Sequence, residues 1–299
     1  MIKILHTSDW HLGRSLYDFP RYQEFQKFLD FLYEVLQEHQ VDVLLVCGDI
    51  FDTQTASNKS QELYYNFLNK VQNLKSLENI IIIGGNHDSP SFLKVAKKIL
   101  KNLKVEIVNS FSGNIEDEVL TLYDKQGKPK LVVGAVPFLR NRDVREAKFC
   151  EEIEERNLNL KQGMSAHYKK VGELCKKAAN ITNPPLPIIG TGHLALSNIN
   201  HQDENLSENI FIGTLDMFDA KIIPSCFAYT ALGHIHKPMM ISDTIYYCGS
   251  PLQLNFNEAN SSKYLNLIEL EDKVIVNKIT VPVFQKLKSL LGDENTLIS

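Results

Sequence analysis

Two aspartates, one asparagine and four histidines stand in this chain just where hydrophobic runs stop, in five short signatures. These are Asp9-Trp10-His11, Gly48-Asp49-Ile50-Phe51-Asp52, Gly85-Asn86-His87-Asp88, Gly192-His193 and Gly233-His234-Ile235-His236. Carboxylate, imidazole and carboxamide donors without a thiolate suit Mn²⁺, Fe²⁺ or Zn²⁺ rather than a soft metal. Asp9 and His11 are two apart, so an extended segment would carry both on one side and let them share an ion. His234 and His236 repeat that spacing. Asp49 is able to bridge two ions through its two oxygens, Asn86 offers a neutral carbonyl oxygen, and His193 offers a ring nitrogen. Two divalent ions roughly 3.5–4 Å apart clamp the attacking and leaving oxygens of a phosphoryl displacement. Two dications outweigh two aspartates, and the surplus positive charge would bind a phosphate diester and stabilise a metal-bound hydroxide as the nucleophile.

His87 is the imidazole left over. It directly follows Asn86, so its side chain should leave in another direction, and its expected role is to protonate the leaving oxygen as a general acid. Asp52, three residues after Asp49, is placed to orient and charge-stabilise His87. His6, His39, His167 and His201 are read as surface or satisfied-core residues without chemistry.

The elements that must position these groups are legible as alternating periods. Apolar runs of strand length cover residues 1–8, 41–47, 79–83, 130–136, 186–190 and 227–232, then 244–248, 264–270 and 273–281. The runs at 41 and 80 are nearly continuous and β-branched, as in strands buried on both faces. Between them, Phe25, Phe28, Leu29, Leu32, Val35 and Leu36 predict an amphipathic helix over 21–39. Leu63, Phe67, Leu68 and Val71 predict another over 60–74. Ser89 or Asp88 is able to cap a third, with Pro90 at its first position. Residues 144–180 predict one or two exposed helices ending before Asn183-Pro184-Pro185. The early half is thus β-α-β-α-β and the last third mainly β. That predicts an α/β (α+β) fold, with two mixed sheets packed face to face and helices outside. Chemistry at the carboxyl ends of strands is the usual arrangement in such folds, and Gly48, Gly85 and Gly233 would supply tight turns at that rim.

Composition narrows the class. The chain has 299 residues, 43% hydrophobic and 23% charged, ordinary for a globular protein able to bury a large core. No run reaches the roughly 18–20 apolar residues of a membrane span, and the start enters a strand-like stretch without a leader, so the expected setting is cytoplasmic. The five cysteines include no Cys-x-x-Cys pair, which argues against a structural zinc or a disulfide framework. A net charge of −4 argues against a basic coat for nucleic acid but not against a nuclease.

Together these residues resemble the calcineurin-like metallophosphoesterase superfamily and, within it, the SbcD nuclease subunits. The resemblance extends beyond the five signatures to His6-Thr7-Ser8, Leu12-Gly13, Thr53, Ser89 and Pro137-Phe138-Leu139-Arg140. It also takes in Ile212-Gly213-Thr214-Leu215-Asp216, Ala231-Leu232 and Tyr247-Cys248-Gly249-Ser250-Pro251. It implies a four-layer metallophosphoesterase sandwich and a manganese-dependent nuclease acting on DNA ends, with 3′-to-5′ exonuclease and single-strand or hairpin endonuclease activity. By motif position it implies one metal on Asp9, His11, Asp49 and His236, and another on Asp49, Asn86, His193 and His234, with His87 assisting. It further implies a homodimer bound to the ATPase SbcC, which gates access to duplex ends in repair and recombination. The expected division is a nuclease domain over 1–281, with 282–299 beginning a capping region that is incomplete here.

Arg14, Arg140 and Arg142 are the candidate contacts to DNA phosphates, with Arg145 beside them. Lys94, Lys97, Lys98 and Lys101 fit a solvated helix face better. The apolar faces of helices 60–74 and 91–101 could form a dimer surface, although core packing explains the same periodicity. Three rival functions share the motifs: a phosphomonoesterase or protein phosphatase, a cyclic phosphodiesterase, and a non-catalytic DNA-binding scaffold. Phosphatase relatives carry arginine after the second aspartate of Gly-Asp-x-x-Asp and glutamate after Gly-Asn-His. Thr53 and Asp88 stand there instead.

Overall fold

The computed structural model describes residues 1–100, 104–146, 151–197 and 217–288, the side chains of 96–100 excepted. Its first strand, β1 (Ile2–Thr7), leads through a small hairpin, β2 (Ser15–Leu16) and β3 (Phe19–Pro20), into α1 (Tyr22–Glu38). β4 (Val43–Cys47), α2 (Asn58–Val71), β5 (Asn79–Ile83), α3 (Pro90–Leu100) and β6 (Val105–Val108) follow. β1, β4, β5 and β6 run parallel, as β-α-β units require. Every residue of β4 is buried, because the strand has helices on one face and a second sheet on the other. The six apolar positions expected of α1 are all buried. So are Leu63, Phe67, Leu68 and Val71 of α2, which pack into the core around Trp10 and Phe28. That face of α2 is therefore spent inside the protomer, and the expectation that it could dock a second copy is corrected. At the third helix the Ser89 hydroxyl accepts from the Phe92 amide at 3.4 Å, while Asp88 is engaged elsewhere.

The second half begins with the hairpin β7 (Val119–Tyr123) and β8 (Pro129–Gly134), then a short α4 (Asn141–Val144) and the long α5 (Ile153–Ala179). β9 (Ile188–His193), β10 (Ala195–Ser197), β11 (Met217–Asp219), β12 (Tyr229–Gly233), β13 (Met239–Ser242) and β14 (Ile245–Tyr247) come next. The region expected to be exposed helix is one amphipathic helix with a buried stripe. Leu160, Met164, Tyr168, Val171, Cys175 and Ala179 recur every three or four residues and pack on the second sheet.

Two final strands, β15 (Lys263–Leu270) and β16 (Val274–Val281), return to the first sheet. Its order is β16-β15-β1-β4-β5-β6, and that of the second sheet is β13-β14-β12-β9-β8-β7. Both are mixed. Ile4, Val43, Leu45, Ile81 and Ile83 of the first meet Leu131, Val133, Ile189 and Ala231 of the second in a common apolar layer. The architecture is the expected four layers, helix-sheet-sheet-helix, and the parallel strands of the two sheets end on a shared rim. Among the described residues no helix is long and apolar enough to cross a membrane.

Candidate metal centre

All seven expected donors and His87 converge on that rim, brought from the ends of β1, β4, β5, β9 and β12. Their atoms form two groups with Asp49 between them. On one side His11 Nε2 lies 3.6 Å from Asp49 Oδ2 and 3.1 Å from His236 Nε2, with Asp9 Oδ1 4.0 Å from His236 Nε2. On the other, His193 Nε2 lies 3.3 Å from the same Asp49 oxygen and 3.0 Å from Asn86 Oδ1. His234 Nδ1 reaches that Asn86 oxygen at 2.9 Å. One carboxylate oxygen thus stands within reach of an imidazole from each group, the placement a bridging ligand needs.

The loops that achieve this are not extended. Asp9 and His11 have φ of 51° and 47°, Asp49 of 50° and His234 of 93°, all in the left-handed region that L residues avoid. The expectation that Asp9 and His11 point to one side of a strand is therefore corrected. β1 ends at Thr7, and the two side chains converge through strained turns, with Asp9 and His11 amides held by Gly48 and Asp49 carbonyls. Such strain persists only where the surroundings over-determine it. Of the three rim glycines, Gly48 alone takes a positive φ. Gly233 is there for room, since a Cβ on it would sit 1.9 Å from the Cys47 carbonyl oxygen.

Hydrogen bonds behind the donors orient them. His193 Nδ1 donates to the Cys47 carbonyl at 2.9 Å, which leaves Nε2 as the inward nitrogen. The His234 amide donates to Asp9 Oδ1 and the His87 amide to Asp49 Oδ1, both at 2.9 Å. Asp88 is fully buried, and its carboxylate accepts from the Gly85, Phe51 and Ile50 amides at 2.8, 3.1 and 3.3 Å, tying the second signature to the third. Ser8 donates to Asp9 Oδ2. These supporting groups were missed in the sequence because they act through backbone or one residue outside each motif. Ser8 lies inside the wider motif and was the one open to discovery.

Asp52 departs from expectation. His87 Nδ1 donates to its backbone carbonyl at 2.8 Å, whereas its carboxylate lies 3.3 Å from His11 Nδ1 and 3.0 Å from Arg14. Arg14 is correspondingly committed to Asp52 and to the Leu254 carbonyl, so it is not a free contact for DNA phosphates. Arg142 is 80% exposed. Arg140 is half-buried in the segment whose Phe138, Leu139 and Asn141 line a cavity with Asn86, His193 and His234. Arg145 is paired with Glu151 at 2.6 Å. Lys94 is exposed, the side chains of Lys97 and Lys98 are not described, and Lys101, His201 and residues 212–216 lie outside the described residues. His6 and His167 are buried on Tyr229 and Glu118, as expected of core histidines.

Electrostatics divide each imidazole pair. Burial opposes charge on His193, but the Asp49 carboxylate outweighs it and raises the ring to about 9. His11 is raised in the same way against burial, by Asp52 and Asp49. Burial, reinforced by these charged neighbours, lowers His234 to about 3 and His236 to about 2. Each group therefore holds one proton among its facing lone pairs, in the position where a cation would satisfy all of them at once.

A family model described as calcineurin-like phosphoesterase matches residues 2–238. The chain belongs to the calcineurin-like phosphoesterase family. This phosphoesterase is also similar to three bacterial proteins named as the SbcD component of the nuclease SbcCD. The protein of Escherichia coli (strain K12) is 36% identical over 297 residues, covering 98% of this chain and 71% of that protein. That of Rhodobacter capsulatus is 29% identical, covering 94% of this chain and 69% of the relative. That of Bacillus subtilis is 26% identical, covering 90% and 66%.

Proposed function

We propose that this chain is the nuclease subunit of an SbcCD-type complex, a metal-dependent phosphodiesterase acting on DNA ends. The observation that carries the reading is the shared Asp49 oxygen, with an imidazole nitrogen within 3.3 Å on one side and 3.6 Å on the other. The donor set fits two divalent cations. His193 has already given its Nδ1 hydrogen to Cys47, yet its Nε2 faces two oxygen acceptors. His11 and His236 point ring nitrogens at each other. Converging lone pairs of this kind call for a positive charge at their centre.

Asp9, His11, Asp49 and His236 would hold one ion, and Asp49, Asn86, His193 and His234 the other. Mn²⁺ is the ion we assign from the oxygen-and-nitrogen donor set. Bound ions would supply Lewis-acid polarisation of the phosphate and a more acidic water. The protein's own part falls to His87. With Nδ1 fixed on the Asp52 carbonyl, the free Nε2 is the atom that would carry a proton to the leaving oxygen. Arg140 and Arg142, on the segment beside the second group, are the remaining candidates for backbone phosphates.

The names of the relatives support DNA as substrate and an SbcC-like ATPase as partner, with a homodimer as the working form. Buried free thiols at Cys47, Cys175 and Cys248 support a reducing, cytoplasmic setting. Residues 1–281 form one nuclease domain in this reading, since β15 pairs with β1 along five residues; residues 282–299 would begin the capping region. The test is incubation with Mn²⁺ and labelled single- and double-stranded DNA beside a His87→Asn control. Nucleotide release by the parent alone is expected. Turnover of p-nitrophenyl phosphate without any DNA cleavage would sink the nuclease reading.

A further inference from the structure

Lys263 opens β15 and is only 3% exposed. A lysine is rarely buried unless its charge is paired. Its ammonium donates to the His236 backbone carbonyl at 3.1 Å, to Ser250 Oγ at 2.9 Å and to the Glu258 carboxylate at 2.5 Å. Ser250 braces the same carbonyl, its amide donating to it at 3.2 Å. Glu258 accepts in turn from the Leu254 amide at 3.3 Å and from Asn255 Nδ2 at 2.7 Å. The Leu254 carbonyl accepts from Arg14 Nε at 3.3 Å, Arg14 holds Asp52 Oδ1 at 3.0 Å, and that oxygen lies 3.3 Å from His11 Nδ1.

Four charges of alternating sign, Asp52, Arg14, Glu258 and Lys263, therefore run in an arc whose two ends are His11 and His236. The arc closes where those two rings face each other, with Nε2 atoms 3.1 Å apart. The other imidazole pair is supported differently. His193 rests on the Cys47 carbonyl and the His234 amide on Asp9, and none of the four arc charges touches either residue in a hydrogen bond.

We propose that this arc is a bracket that sets the spacing of His11 and His236, making Arg14, Glu258 and Lys263 positioning residues for one of the two cation positions. The proposal rests on the metal-centre reading given above. Its content is the asymmetry: the bracket serves the position shared by Asp9, His11, Asp49 and His236, and leaves the position of Asn86, His193 and His234 alone. Partners behind metal ligands typically change metal affinity about 10–100-fold when removed.

The experiment titrates the metal-free full chain with Mn²⁺ alone, counting bound ions by calorimetry and by the Mn²⁺ paramagnetic signal. Lys263→Met and Arg14→Met are each expected to weaken one class of site about 10–100-fold while the other moves less than about twofold. The double variant should weaken that class no further than the worse single, because the arc acts as a unit. Glu258→Gln, which keeps shape and an acceptor but loses charge, guards against a Lys263→Met chain that fails to fold, and should weaken the same class. Lys70→Met, which breaks the exposed pair with Asp30, is the control for losing any ion pair and should change neither class. If the variants bind both ions as the parent does, or if both classes weaken together, the bracket is overturned. If the parent binds no Mn²⁺, the metal-centre reading falls and takes the bracket with it.

Discussion

His87 and Asp52 are joined through the main chain: the His87 Nδ1 hydrogen goes to the Asp52 carbonyl oxygen at 2.8 Å, while the Asp52 carboxylate turns to His11 and Arg14. A backbone acceptor survives substitution of the side chain that follows it. His87→Asn should therefore cut turnover by about 10²–10⁴-fold, as loss of a general acid does, with bound metal unchanged. Asp52→Asn should keep turnover at saturating Mn²⁺ within about tenfold of the parent and raise the Mn²⁺ concentration needed to reach it. Steady-state rates across a Mn²⁺ series check both. Equal losses of turnover at saturating metal would mean that the carboxylate, not the carbonyl, serves His87.

The buried His6 gives the protein a pH-dependent stability. Its ring is fully enclosed against Tyr229, and burial lowers its pKa to about 3 from the usual 6.5. The unfolded chain takes up a proton near 6.5, but the folded chain resists doing so until about 3. The contribution is thus fully present above the unfolded pKa and is lost as pH falls between the two values, at ~1.4 kcal/mol per unit. Urea unfolding at pH 6.5, 5.5 and 4.5 should show a shallower slope for His6→Gln than for the parent, by about that amount per unit. Parallel slopes would show that His6 is already charged in the fold.

Gly233→Ala tests how tightly the two sheets meet at the rim. A methyl group would lie 1.9 Å from the Cys47 carbonyl and 2.8 Å from His193 Nδ1. Neither can retreat without moving a donor of the second group. We expect a loss of about 1–3 kcal/mol in unfolding free energy, the usual cost of overpacking, together with weakened metal binding. An alanine variant with parental stability and parental affinity would show that the strand ends stand further apart than these distances require.

Metal should stabilise the fold by mass action. Asp9 and Asp49 are both buried; burial and the nearby Asp49 charge oppose ionisation of Asp9. A cation binding at 100 times its dissociation constant adds ~2.7 kcal/mol. The unfolding midpoint should rise when Mn²⁺ is added to metal-free protein and fall again with chelator. Asp49→Asn, which takes the negative charge off the shared oxygen, should abolish most of that rise. A variant that keeps the whole rise would show that Asp49 bridges nothing.

The strands and helices were readable because burial leaves a period in the sequence: Val43–Cys47 had to be covered on both faces, and Phe25 through Leu36 had to share one. The donor set was readable because each donor directly follows or lies within a strand-ending motif. The path by which each donor arrives was not. Asp9 and His11 meet through left-handed turns that the type of residue disfavours and that only the packed rim enforces. The commitment of Arg14 to Asp52 and Leu254 joins residues 38 and 240 positions apart, a contact with no local trace. Lys263 looked like an ordinary charged start to a strand, since nothing near it in sequence announces that Glu258 and His236 will surround it.

The two groups of donors draw on both sheets, and that has a bearing on how the protein is made. A ribosome delivers Asp9, His11, Asp49 and Asn86 first, and His193, His234 and His236 only much later. β15, which lies between β16 and β1 in the first sheet, is later still. The nascent chain therefore carries an incomplete set of donors through most of its synthesis. Hydrolytic capacity arrives in one late step, when β9 and β12 dock against strands that have been waiting for them, so an unfinished chain is a harmless one.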